Sequence, residues 1–150
     1  MKMERENDFD SNNLVWINNS SNIGAAESRN RGANRATGDV LLFIDAGDEL
    51  LNSASEVLGL ADFDVAYGKH ILDDGVKQRT VNRSHENYRL FCLARVPSTT
   101  SGLFVDRRLF ESVGGFEDIP RSQEAALWLK LSVLPNIRIR FITSSIVRRN

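Results

Sequence analysis

The sequence holds one cysteine, two histidines and three prolines in 150 residues, and these scarcities exclude several kinds of chemistry. With Cys92 alone, no intrachain disulfide can form and nothing points to an oxidising compartment, so a cytoplasmic setting is the default. His70 and His85 have no metal-ligand spacing, and Cys92 has no matched base, so neither metal nor thiol catalysis is expected of them. A basic excess is also missing. Lys and Arg number 19 against 20 Asp and Glu, a net charge of -1, which sets nucleic acid aside as a partner. No apolar run approaches the ~20 residues of a membrane span, and the N-terminus is polar, so neither a spanning segment nor an export signal is expected. Internal repeats and low-complexity linkers are absent as well.

What is present suits one ordinary globular domain: 41% of the residues are hydrophobic, and the chain is long enough for a single core. Residues 1–13 read as a polar lead-in with six charges, and residues 14–150 as one domain. The chain is organised around residues 22–50, NIGAAESRNRGANRATGDVLLFIDAGDEL. Ala25, Gly32, Ala33 and Ala36 fall near one helical face and Thr37-Gly38 supplies a stop, which predicts a helix over 25–36 that packs closely on a sheet. VLLFI at 40–44 has the pattern of a strand covered on both faces in a parallel sheet. It ends in Asp45-Ala46-Gly47-Asp48-Glu49. In open α/β sheets ligands bind beyond the carboxyl ends of the strands, so acids there are candidates for holding a phosphate-bound metal ion.

Around this centre, 14–18 reads as a strand, 51–60 as a helix with Asp48, Asn52 or Ser53 available to cap it, and 64–72 with 76–81 as a hairpin turning at Asp73-Asp74-Gly75. A short amphipathic helix is expected within 83–97, and a strand over 99–105. Asp106 can cap a helix reaching 113, closed by Gly114 with Phe116 packing back. A second helix spans 122–133, and 137–142 (IRIRFI) forms a last strand that leaves Arg148 and Arg149 in a basic tail. Trp128 and Phe116 read as core or pocket-wall residues. Arg29, Arg31 and Arg35 could steer a diphosphate or could be an exposed basic face.

In order and wording these motifs resemble the family 2 glycosyltransferases, inverting enzymes of the GT-A fold, from about residue 22 to 147. The carrying segments are the 22–50 stretch, VAYGK at 65–69, TTSGLFVDRRLFESVGGF from Thr99, QEAALWLKL from Gln123, and IRIRFI. The resemblance implies an α/β fold: a Rossmann-like, nucleotide-diphospho-sugar transferase mixed sheet flanked by helices. The family's opening strands, which hold the nucleotide base and ribose, have no counterpart before Leu14, so the GT-A sheet is expected to be partial, lacking the first βαβ unit. An incomplete sheet favours a homo-oligomer or a partner chain that restores its cover.

The implied activity is transfer of a sugar from a nucleotide-diphosphate sugar to an acceptor hydroxyl of a glycan or lipid-linked acceptor. A Mg²⁺ or Mn²⁺ ion neutralises the diphosphate and a carboxylate takes the acceptor's proton. The family's Asp-x-Asp motif corresponds to Asp45-Ala46-Gly47, with Gly47 where the second Asp would stand. The metal role therefore passes to Asp48, one residue on, with Asp45 supporting the nucleotide or the metal's water shell; the alternative for Asp48 is a helix cap. Glu124 falls on the family's general-base position, with Gln123 in place of the usual Glu; the alternative is a first-turn carboxylate favoured by the helix dipole. The resemblance implies a cytoplasmic protein at the inner face of the membrane. Three functions stay open: the transferase, a catalytically impaired binder of sugar nucleotides or glycans, and a structural module that completes another chain.

Overall fold

A computed structural model describes residues 9–11, 14–60, 62–81, 100–120 and 122–149. The helix expected within 83–97, with His85 and Cys92, lies outside the described residues. Among the described residues, strands β1 (Phe9–Ser11) and β2 (Leu14–Trp16) pair only with each other, as an antiparallel ribbon. Helix α1 (Gly24–Arg35) leads into strand β3 (Val40–Phe43), and the acidic loop into the short β4 (Glu49–Leu50). A 3-10 helical segment (Asn52–Gly59) precedes β5 (Val65–Asp73), β6 (Gln78–Val81) and β7 (Leu103–Asp106). Helices α2 (Arg107–Ser112) and α3 (Gln123–Ser132) and strand β8 (Ile139–Arg149) complete the chain.

Among the described residues six strands form one mixed sheet in the order β3-β7-β5-β8-β4, with β6 also on β5. Strands β5 and β8 are parallel, whereas β7 is antiparallel to both β3 and β5, so β3, β5 and β8 run the same way. Period-two alternation decides which side chain goes to which face. Leu41, Val65, Tyr67, Leu103 and Val105 meet Ala26 and Ala33 of α1, Phe110 of α2, and Leu127, Trp128 and Leu131 of α3 in the main core. The intervening Ala66 and Phe104 meet Ala54, Val57, Ile142, Ile146 and Val147 in a second core under the 3-10 segment. The protein is thus a mixed α/β fold with helical cover on both faces of its sheet. Trp128 and Phe116 are core residues, as read from the sequence, at 2% and 3% exposure.

Several expectations need correction. Strand β3 pairs with an antiparallel neighbour, and only Leu41 among its first three residues is buried; Val40 and Leu42 are exposed. The reason is positional: among the described residues no strand pairs with its outer edge, and the 3-10 segment reaches it only across a groove that both line. The segment at 52–59 is 3-10 rather than α, and neither Asp48 nor Ser53 caps it; the Ser53 hydroxyl donates instead to the Ser145 carbonyl. Arg148 and Arg149 are not a tail but the last residues of β8, held by the ladder to β4 and by acidic neighbours: Arg148 pairs with Glu49, and Arg149 with Asp48.

The hairpin read from Asp73-Asp74-Gly75 is present, and its acids serve the turn. Asp73 Oδ1 accepts from Gly75 N, and Asp74 Oδ1 accepts from Val76 N and Lys77 N. Those amides hold the Asp74 carboxyl below its usual range, Lys77 contributing most and Val76 next. Asp106 caps α2 by accepting from Leu109 N at 2.8 Å, and Gly115 N closes the helix on Phe110 O.

Candidate functional site

Four segments converge at the carboxyl end of β3. The first is α1. Its residues Ala26, Arg29, Asn30 and Ala33 follow the i, i+3, i+4, i+7 rhythm of one helical face, so Arg29 and Asn30 sit on the stripe whose alanines are buried. An arginine on such a stripe must find partners. Arg29 Nη2 donates to Asp45 Oδ1 at 2.7 Å, and Nη1 lies 3.7 Å from Glu124 Oε1 and 3.5 Å from Gln123 Oε1. Its guanidinium carbon stands 5.5 Å from the centroid of the Phe116 ring.

The second segment is the loop after β3. Asp45 O accepts from Asp48 N at 3.1 Å, closing a turn in which Gly47 has φ +91°. That conformation is costly for any residue with a Cβ, which is a backbone reason for glycine at the place of the motif's second Asp. The third segment runs into β7. Thr100 and Ser101 are buried; the Thr100 hydroxyl donates to Asp45 Oδ1 at 3.0 Å, and Ser101 Oγ accepts from Asp45 N at 2.8 Å. The fourth joins the Gly114-Gly115-Phe116 loop to the first turn of α3. Asn30 grips this loop with both amide atoms, donating to Phe116 O at 2.9 Å and accepting from Phe116 N at 3.0 Å. Phe116 then packs edge-on against Phe43, with centroids 5.1 Å apart at 85°.

Of the three acids expected at the site, the fold brings Asp45 and Glu124 onto one guanidinium, with side chains 34% and 21% exposed. Asp48 is not brought to them. Its side chain is 6% exposed and its Oδ2 lies 3.4 Å from Arg149 Nε. Among the described residues no group of three or more His, Cys, Asp and Glu could hold a metal ion. Asp45 could still serve as one ligand of a cation whose other ligands are phosphate oxygens and water, because Mg²⁺ sites often use one or two carboxylates. With two acids and one arginine, the cluster carries a net charge of -1, which favours a cation, or a diphosphate carrying one, over a bare anion.

The residue missed in sequence was Asn30, whose partner Phe116 lies far along the chain; Arg29 was weighed only as one of three arginines, although its charge is in phase with Ala26 and Ala33, and Thr100 and Ser101 only within the 99–102 stretch that the resemblance sets at the floor of an acceptor site, without their link to Asp45. Comparison with protein-family models gives no match, and comparison with curated proteins gives no similar sequence. No helix among the described residues is long and apolar enough to cross a membrane.

Proposed function

We propose that the chain is a GT-A glycosyltransferase domain, or the acceptor-side half of one, that transfers a sugar with inversion from a nucleotide-diphosphate sugar to an acceptor hydroxyl. The observation that carries this reading is the meeting of Asp45 and Glu124 on Arg29 beyond the carboxyl end of β3, where α/β sheets bind ligands. Segments singled out by resemblance supply every wall of the cluster.

In this mechanism Glu124 accepts the proton of the acceptor hydroxyl while that oxygen attacks the anomeric carbon. The bond from the anomeric carbon to the diphosphate oxygen breaks on the opposite face, its electron pair leaving with the nucleotide diphosphate, and the configuration inverts. A Mg²⁺ or Mn²⁺ ion held by Asp45 and the donor's phosphate oxygens would supply neutralisation of the leaving group. Arg29 orients both carboxylates. Asp48 supports the loop that carries Asp45, and a metal role for it would require breaking its pair with Arg149.

A second reading, a binder without turnover, is favoured by Arg29, whose guanidinium already engages both acids. The edge of β3, which no strand among the described residues pairs and where Val40 and Leu42 are exposed, favours a second copy or a partner chain covering the sheet. Melting of the purified chain with nucleotide-diphosphate sugars and Mn²⁺, followed by donor consumption with and without acceptor, separates the readings. The transferase predicts a rise in melting temperature and acceptor-dependent consumption, with Glu124→Gln keeping the rise and losing the consumption. Binding without consumption supports the second reading, and no rise with any donor overturns both.

A further inference from the structure

Two buried hydroxyls belong to the candidate site without touching its solvent-facing side. Thr100 and Ser101 are 0% and 1% exposed, yet both hydroxyls bond Asp45, a residue at a different strand end: Thr100 Oγ1 donates to its carboxylate and Ser101 Oγ accepts from its backbone amide. The turn that carries them is fixed from three sides. Leu103 N donates to Thr100 O and Gly102 N to Phe43 O, both at 3.0 Å. Gly102 has φ +79°, and a Cβ there would lie 2.8 Å from Val147 Cγ2. The turn thus has no alternative place to go, and Thr100 and Ser101 are presented to Asp45 by a rigid element.

The pattern of bonds is asymmetric. Asp45 Oδ1 takes both side-chain donors, Arg29 Nη2 at 2.7 Å and Thr100 Oγ1 at 3.0 Å, while Ser101 anchors its backbone amide. Oδ2 has no hydrogen-bond partner among the described residues, and the side chain is 34% exposed. Backbone, one carboxylate oxygen and side-chain torsion are therefore all set, and one oxygen is left to offer. A neutral hydroxyl also turns Oδ1 inward without adding positive charge beside the atom that faces solvent.

We propose that Thr100 and Ser101 are positioning residues that aim Asp45 Oδ2 at the donor's cation-bound diphosphate. The assignment rests on the proposed role of Asp45 at that diphosphate, and adds two residues that act through it. Thr100→Val keeps the shape and removes the donor; Thr100→Ser keeps the donor and removes only a methyl group. The test is calorimetric titration of the full chain with uridine, guanosine and thymidine diphosphate-glucose in Mn²⁺, with the melting temperature of each variant measured without ligand. The expected result is a dissociation constant raised about tenfold in Thr100→Val and restored to within about twofold in Thr100→Ser, with unliganded melting temperatures alike; a purely structural residue would lower the melting temperature instead. Ser101→Ala should raise the constant as well. If the unaltered chain binds a donor and Thr100→Val binds it equally well, the positioning role is wrong while the transferase reading stands. If the unaltered chain binds none of the donors, both fall together.

Discussion

Arg29 and Asp45 form the tightest ion pair of the candidate site, with Nη2 2.7 Å from Oδ1 and the arginine side chain only 19% exposed. The pair joins α1 to the end of β3, and Glu124 extends it to α3. Removing the arginine leaves two carboxylates facing each other's charge. Since both retain some water, the cost should fall below that of a fully buried pair: Arg29→Ala is expected to destabilise by about 2 kcal/mol. Urea unfolding measures it, and a double-mutant cycle with Asp45→Asn should return a coupling of about 1 kcal/mol. Strict additivity would mean that the two side chains do not interact in solution.

The site was legible in part. Asp45 could be named from its place at the carboxyl end of a strand, and Glu124 only from the resemblance of its helix to a family motif. Arg29 was visible only as one of three arginines, although it alone is in phase with Ala26 and Ala33. Arg31, by contrast, turns to Asn19. Thr100 and Ser101 were marked only through the resemblance, as part of an acceptor-site floor over 99–102; their link to Asp45 gave no sign, because a buried hydroxyl is recognised by its partner and Asp45 lies far from them in the chain.

Asn30 and Gly115 offer a test of the loop that carries Phe116. Asn30 makes two hydrogen bonds to the Phe116 backbone, and its replacement by Ala should cost about 2 kcal/mol. Gly115 has φ +63°, and a Cβ there would lie 2.6 Å from Asn30 Oδ1 and 3.1 Å from the Phe110 ring. Gly115→Ala should therefore cost about 3 kcal/mol through backbone strain and overlap. In the double variant the overlap with Asn30 is gone. The combined loss should fall short of the sum by about 1 kcal/mol, as read from denaturant midpoints.

Arg149 illustrates why strand ends were harder to read than strand centres. The alternation of IRIRFI announced a strand, but nothing local signalled its continuation through Ser144 and Ser145 to Arg149. The continuation is set by tertiary pairing, through the parallel ladder with β5 and the short antiparallel one with β4. Arg149 there faces Asp48, whose side chain is 6% exposed. Arg149→Ala would strand a carboxylate with little access to water, and a loss of about 3 kcal/mol is expected. Asp48→Asn, which leaves no buried anion, should cost less. Equal losses, compared by thermal unfolding at matched pH, would show that the charge on Asp48 is already solvated in the folded protein.

Asp64 predicts how stability responds to acid. Its Oδ2 accepts from Arg138 N at 2.7 Å and from Nε at 3.2 Å, and Oδ1 accepts from Nη2 at 2.7 Å. These bonds tie the start of β5 to the start of β8, where Asp64 N also donates to Arg138 O at 2.9 Å. The side-chain bonds to Arg138 hold the Asp64 carboxyl below its ordinary value of 3.8, offset in part by burial, and they raise the arginine. A carboxyl depressed by folding stabilises the native state above its unfolded pKa, and that contribution disappears as pH falls through the folded pKa. Between pH 7 and 5 the Asp64 contribution is thus constant; below about pH 4 it should decline. Asp64→Asn should melt on the order of 2 °C lower than the unaltered chain at neutral pH, a small effect because Arg138 is half exposed and screened by solvent. The gap should close as the pH is lowered from 4 to 2.5, whereas a gap that widens on acidification would reverse the assigned direction of the shift.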